Sequence, residues 1–198
     1  GMVQIGPNNI HKGWDWCSGY HYSDSILIGF SQTHLNGTGC TDLGDILIMP
    51  TTGELKLNPG TADNPDAGYR SRFSHESEKA TPGYYEVMLD DYKVKAQLTA
   101  TPRVGVHRYS FPKDEQGRII LDLNHGIYNY DGKTLWASIR VENDHLITGY
   151  RITNGWARTN YTYFAISFSQ PIKNYGYRDM QRILYNGWWR KFPVNKNF

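Results

Sequence analysis

Apolar and polar positions alternate along much of this chain with a period of two, most regularly over residues 93–100. There Val94, Ala96, Leu98 and Ala100 fall on one side, and Lys93, Lys95, Gln97 and Thr99 on the other. That is the pattern of a strand with one buried and one wet face. The same reading predicts strands at 84–89, 103–111, 135–141, 145–153 and 161–169, the last with Phe164, Ile166 and Phe168 on one face. Ile26-Leu27-Ile28, Ile46-Leu47-Ile48-Met49 and the run 119–123 are short and continuously apolar, as strands covered on both faces are. Helical spacing is confined to 179–185, where Met180, Ile183 and Leu184 sit three and four positions apart.

Turn residues divide these segments at regular intervals. Pro50 is expected to end its strand, and Thr52-Gly53 to turn the chain into an alternating strand at 54–57. Residues 58–68 hold Pro59, Gly60, Asp63, Asn64, Pro65 and Gly68 and read as a surface loop, followed by a polar edge strand at 69–78. Thr81-Pro82-Gly83, Asp90-Asp91 and Glu142-Asn143-Asp144 are turns, and Tyr130-Asp131-Gly132-Lys133 carries a hairpin signal. The expected fold is all-β: a two-sheet β-sandwich with long loops over 1–172, then a short helical or irregular tail at 173–198. That tail is basic and aromatic, with Arg178, Arg182, Trp188, Trp189, Arg190 and Lys191 against the single acid Asp179. Charge interleaved with rings can serve single-stranded nucleic acid. So small a patch on a near-neutral chain reads instead as a helix or arm packed on the sandwich or on a missing neighbour.

Composition narrows the partners. Over 198 residues the net charge is +2, too small a field to steer the chain toward nucleic acid. No run approaches the roughly 18–20 apolar residues of a membrane span. The start at Gly1-Met2-Val3 shows no signal peptide, and Gly1 reads as a cloning remnant. Two cysteines, Cys17 and Cys40, make no disulfide framework; two buried thiols and one bridge both remain open. With His21 and His34 they fall at Cys-x3-His-x12-His-x5-Cys, a zinc-like spacing. The apolar run between the two histidines wants burial in a sheet, which argues against a zinc site.

Chemistry gathers in residues 13–50, GWDWCSGYHYSDSILIGFSQTHLNGTGCTDLGDILIMP. Trp14, Trp16, Tyr20 and Tyr22 offer flat apolar faces with hydrogen-bonding edges, which suits a sugar ring. Glycines at 37, 39 and 44 permit close backbone approach around His34 and Asn36. Of the carboxylates, Asp15 lies among rings, whereas Asp42 and Asp45 flank a turn and are expected to bond backbone amides. No pair of acids in the chain declares itself as acid and base.

This stretch resembles the amino-terminal domain of family 92 of the glycoside hydrolases, calcium-dependent exo-acting α-mannosidases. The likeness continues through GYYEVMLDDYKVKAQLTATPRVGVHRYSFP and, more weakly, WASIRVENDHLITGYRITNGWA. It implies a β-supersandwich packed on an (α/α)6 catalytic barrel, with the sandwich forming part of the mannose pocket. The catalytic acid, the base and the calcium ligands then belong mainly to the barrel, so no catalytic or metal residue is assigned here. Carried over residue by residue, Trp14, Asp15 and Trp16 match the segment nearest the sugar, with Trp16 at the leaving-group subsite. His34 and Asn36 lie in the second pocket-facing loop. The family's glycine-rich segment before Gly1 and its barrel have no counterpart here, so the chain reads as a truncated, non-catalytic domain. The resemblance also implies a periplasmic or secreted location. Two other readings stay open: a stand-alone carbohydrate-binding module, and a structural remnant that self-associates through an uncovered face.

Overall fold

The computed structural model describes residues 2–9, 18–35, 42–61, 63–127, 130 and 132–178. They form twelve strands, including two that were not expected, Gly6–Asn9 and Lys79–Thr81, and a single 3-10 turn, Pro65–Ala67. The chain divides into two compact units, Gly1–Asn129 and Tyr130–Phe198.

In the first unit, β1 (Gly6–Asn9), β2 (Ile26–Ser31), β3 (Leu47–Thr51), β4 (Ser71–Arg72) and β9 (Arg118–Asp122) make one antiparallel sheet. Its order is β1-β2-β3-β9, with β4 pairing on β2. A second sheet is the meander β5 (Lys79–Thr81), β6 (Tyr84–Leu89), β7 (Val94–Ala100) and β8 (Gly105–Ser110). The core joins Leu27, Phe30, Leu47, Met49 and Ile120 of the first sheet to Val87, Leu89, Val94, Ala96 and Leu98 of the second. The Phe30 ring meets Tyr85 and Tyr109 across this interior, each at 6.3 Å. This is the two-sheet sandwich, driven by burial of the apolar half of each alternating strand.

The other half of the second sheet faces water. Lys95 Nζ lies 2.8 Å from Glu86 Oε1, and Gln97 Nε2 donates to Tyr84 Oη and to Glu86 Oε2, both at 2.7 Å. The Lys95 and Tyr84 hydrogen bonds hold the Glu86 carboxyl down at about 2.

Four local expectations change. Strand β3 runs through Pro50, which pairs opposite Ile119. It meets β2 at one register pair only, Phe30↔Ile48, leaving an open side where a missing N–H costs no ladder bond. Residues 54–57 form no strand, because β3 already has β9 as its partner. The predicted polar strand at 69–78 contracts to β4. Tyr69 and Phe73 around it are buried, and Ser74 then closes a turn by accepting the Ser77 N–H at 3.0 Å. Finally, Lys133 N–H donates to Tyr130 at 3.0 Å, yet the strands on either side, β9 and the next in sequence, lie in different sheets. The Asp-Gly signal therefore marks a turn without a hairpin.

The second unit is the antiparallel sheet β10 (Thr134–Asn143), β11 (Leu146–Thr153) and β12 (Asn160–Ser167), in that order. The predicted hairpin between β10 and β11 forms, with Asn143 Oδ1 accepting the His145 N–H at 2.8 Å. In register, Trp136 faces Ile152 and then Tyr161, and Ser138 faces Tyr150 and then Tyr163. The helix expected at 179–185 and most of the basic tail lie outside the described residues.

Candidate functional site

Of the five sugar-contact candidates, His34 is described; Trp14, Asp15, Trp16 and Asn36 lie outside the described residues, as do Cys17 and Cys40. What the structure shows is how the residues flanking 10–17 and 36–41 are tied together.

The first segment is bounded by Asn9 at the end of β1 and by 19–21. Asn9 N–H donates to the Gly19 carbonyl at 2.9 Å. Its side-chain amide then treats His21 as a strand partner, donating to the His21 carbonyl at 2.7 Å and accepting the His21 N–H at 3.1 Å. The second segment is closed by Thr33 and Asp45. Thr33 Oγ1 donates to Asp45 Oδ2 at 2.7 Å and accepts the Asp45 N–H at 2.8 Å. Gly44 N–H donates to the Thr33 carbonyl at 2.9 Å. Asp45 is thus buried, with its carboxylate accepting a side-chain hydroxyl where a backbone amide was expected.

Two features join these bases. His34 is buried, its Nδ1–H donating to the Gln4 carbonyl at 2.6 Å and its Nε2 lying 3.0 Å from Ser31 Oγ. Asn8 Oδ1 completes the chain, accepting the Ser31 N–H at 3.2 Å and standing 2.6 Å from the Ser31 hydroxyl. Burial pushes the His34 imidazole below its ordinary range. The second feature is Ile127, buried between the two bases and donating its N–H to Leu43 at 3.1 Å. A Cβ on Gly19 would lie 3.0 Å from Ile127 and one on Gly44 2.8 Å from it, and both glycines have positive φ. Only glycine meets both demands at either position.

A third anchor was not legible in the sequence. The Glu78 carboxylate accepts hydrogen bonds from Tyr20 Oη at 2.8 Å, Tyr85 Oη at 2.6 Å and His75 Nδ1 at 2.6 Å. Its side chain is 8% exposed. His75 in turn stacks on Tyr22 at 4.1 Å and 18° and meets the Phe73 edge at 5.1 Å. Burial first, then the Glu78 carboxylate, pushes the Tyr20 and Tyr85 phenols well above their ordinary range. In sequence Glu78 is one acid in the polar run His75-Glu76-Ser77-Glu78-Lys79, with nothing to separate it from Glu76.

Both ring nitrogens of His34 are engaged, and His21 Nδ1 lies 2.7 Å from Ser23 Oγ. Among the described residues, no group of three or more His, Cys, Asp or Glu is placed to hold a metal ion. No helix among them is long and apolar enough to cross a membrane.

Comparison with known proteins places this geometry in context. Residues 1–191 match the family model of the glycosyl hydrolase family 92 N-terminal domain. Among solved structures, the chain is similar to the family 92 α-mannosidase BT3965 from Bacteroides thetaiotaomicron, at 41% identity and a TM-score of 0.86. That likeness covers 99% of this chain and 26% of the other. The same enzyme in complex with mannoimidazole matches at 41% identity and a TM-score of 0.86, covering 99% of this chain and 25% of that one. The family 92 glycosyl hydrolase ccman5 matches at 27% identity and a TM-score of 0.68, over 83% of this chain and 22% of its own. No curated protein matches the chain.

Proposed function

The chain belongs to the N-terminal domain family of the family 92 glycosyl hydrolases, and from that premise we propose that it forms one wall of an α-mannoside pocket and braces a catalytic polypeptide. The observation that carries this reading is the shared base. Asn9, Asn8, His34, Asp45 and Ile127 tie the residues flanking 10–17 to those flanking 36–41. Trp14, Asp15, Trp16 and Asn36 therefore belong to two segments rooted side by side on a rigid sandwich, the arrangement a preorganised binding wall needs. The match to a solved α-mannosidase spanning about a quarter of that enzyme supports the choice of substrate.

In this reading the chain positions sugar and does not cleave it. An inverting glycosidase needs two carboxyl groups about 6.5–9.5 Å apart across the scissile bond. Asp45 is locked to Thr33, and Glu86 is paired with Lys95 on the wet face. The acid and base are assigned to the catalytic polypeptide. Calcium ligands are assigned there too, as the family resemblance implies. The family points to an extracellular or periplasmic setting.

Purified alone, the chain is expected to leave an aryl α-mannoside intact and to bind mannose and α-mannobiose weakly or not at all by calorimetry. Turnover that disappears on mutating a carboxylate of this chain would overturn the reading. Tight mannobiose binding lost in Trp16→Ala would instead make it a self-sufficient binding module.

A further inference from the structure

Three consecutive residues at the end of the ring-bearing segment, Tyr20, His21 and Tyr22, are each held by a different part of the fold. Tyr20 is fixed by Glu78, the backbone of His21 by the Asn9 side chain, and Tyr22 by the His75 ring. His75 is itself bonded to Glu78, so two of the three restraints converge on one carboxylate. The donors come from separate elements: Tyr20 precedes β2, His75 lies in the turn after β4, and Tyr85 is in β6.

A buried carboxylate needs such donors, and three of them satisfy it. That accounts for Tyr85 and for burial, but not for Tyr22. Tyr22 is 69% exposed and gains little from burial, yet its ring is stacked on an imidazole oriented by Glu78. Restraining an exposed ring in this way serves geometry more than stability. We propose that Glu78 is a positioning residue for the ring-bearing segment: holding Tyr20 directly and Tyr22 through His75, it sets the course of the chain from Tyr20 to β2. Its value for sugar binding rests on the function proposed above; the positioning itself does not.

The two tyrosines on Glu78 provide the test. Tyr20→Phe and Tyr85→Phe each remove one hydroxyl from the same carboxylate, but Tyr20 alone lies on the segment. Two-dimensional NMR of the indole N–H signals of Trp14 and Trp16, with thermal unfolding recorded in parallel, reads the two effects separately. Tyr20→Phe and Glu78→Gln are expected to shift both indoles and the Tyr22 ring signals. Tyr85→Phe is expected to lower the unfolding temperature comparably and leave the indoles in place. Indoles unmoved in both Tyr20→Phe and Glu78→Gln would overturn the proposal, as would equal displacement in all three variants. If Glu78→Gln fails to fold, the two Phe variants decide alone. Adding α-mannobiose to the unmodified chain keeps the two readings apart. Indoles that respond to Glu78→Gln but not to the sugar leave the positioning role standing and remove the sugar contact.

Discussion

His107 in β8 is half-buried, its Nδ1 2.7 Å from the Tyr109 hydroxyl and its Nε2 3.2 Å from Gln32 Oε1. Burial alone lowers its pKa to about 4. The amide oxygen of Gln32 only accepts, so the neutral ring carries its proton on Nε2 and accepts the Tyr109 hydroxyl at Nδ1. Below about pH 6.5 the unfolded chain takes up a proton that the folded protein refuses until about pH 4. His107 therefore detracts nothing above about pH 6.5, and stability falls steadily as pH drops from there toward about 4, by on the order of 3 kcal/mol in all. Thermal unfolding followed across this window should show that slope, and His107→Gln should reduce it, leaving the contribution of His34, whose lowered pKa acts with the same sign. A slope unchanged by the substitution would assign the loss elsewhere. Residues at this scale were unevenly legible. Asp45 was expected to bond a backbone amide, yet its carboxylate accepts the Thr33 hydroxyl, and Glu78 gathers Tyr20 from 58 positions away beside its nearer partners His75 and Tyr85.

Gly149 shows the same limit at the level of an element. It sits in the middle of β11, opposite Ile139 on β10 and Phe164 on β12. A Cβ there would strike the Ser138 carbonyl and come within 2.5 Å of the Phe164 ring. The strand is thus built around a ring lying over bare backbone, a pairing that compensates a glycine's lack of side chain. Gly149→Ala is expected to cost about 1–3 kcal/mol as an overpacked site. Amide hydrogen exchange should quicken in β10, β11 and β12 while β7 keeps its protection. Alternation alone located all three strands of this sheet and the turn after β10. It could not say that Phe164 needs a glycine as its neighbour, because that follows from register.

For the whole molecule, the contrast between two exposed sheet faces is informative. The outer face of β6 and β7 is a hydrogen-bonded network of Tyr84, Glu86, Lys95 and Gln97. One face of the β10–β12 sheet carries Trp136 at 59%, Tyr161 at 55% and Tyr163 at 72% exposure, with the Tyr161 and Tyr163 rings 11° from parallel. Contiguous exposed rings promote association. Light scattering of the chain alone should show a mass that rises with concentration, and Trp136→Lys with Tyr163→Lys should return it to the monomer value. A concentration-independent monomer would show that the face is well solvated as it stands.

The period-two pattern by itself placed β6–β8 and β10–β12, and short continuous apolar runs placed β2, β3 and β9, because the edge each must bury is written locally. Together they determined the all-β class, while β1 and β5 carried neither signal. Residues 13–50 likewise carried the family, since rings and glycines in that order are locally distinctive. Only the tertiary structure decided that Pro50 stays within a strand, that the Asp-Gly turn joins two sheets, and that Asn9, His34, Ile127 and Glu78 root the candidate site. Each of these depends on which distant backbone lies alongside, and a hydrogen bond or a close glycine contact leaves no period in the chain that makes it.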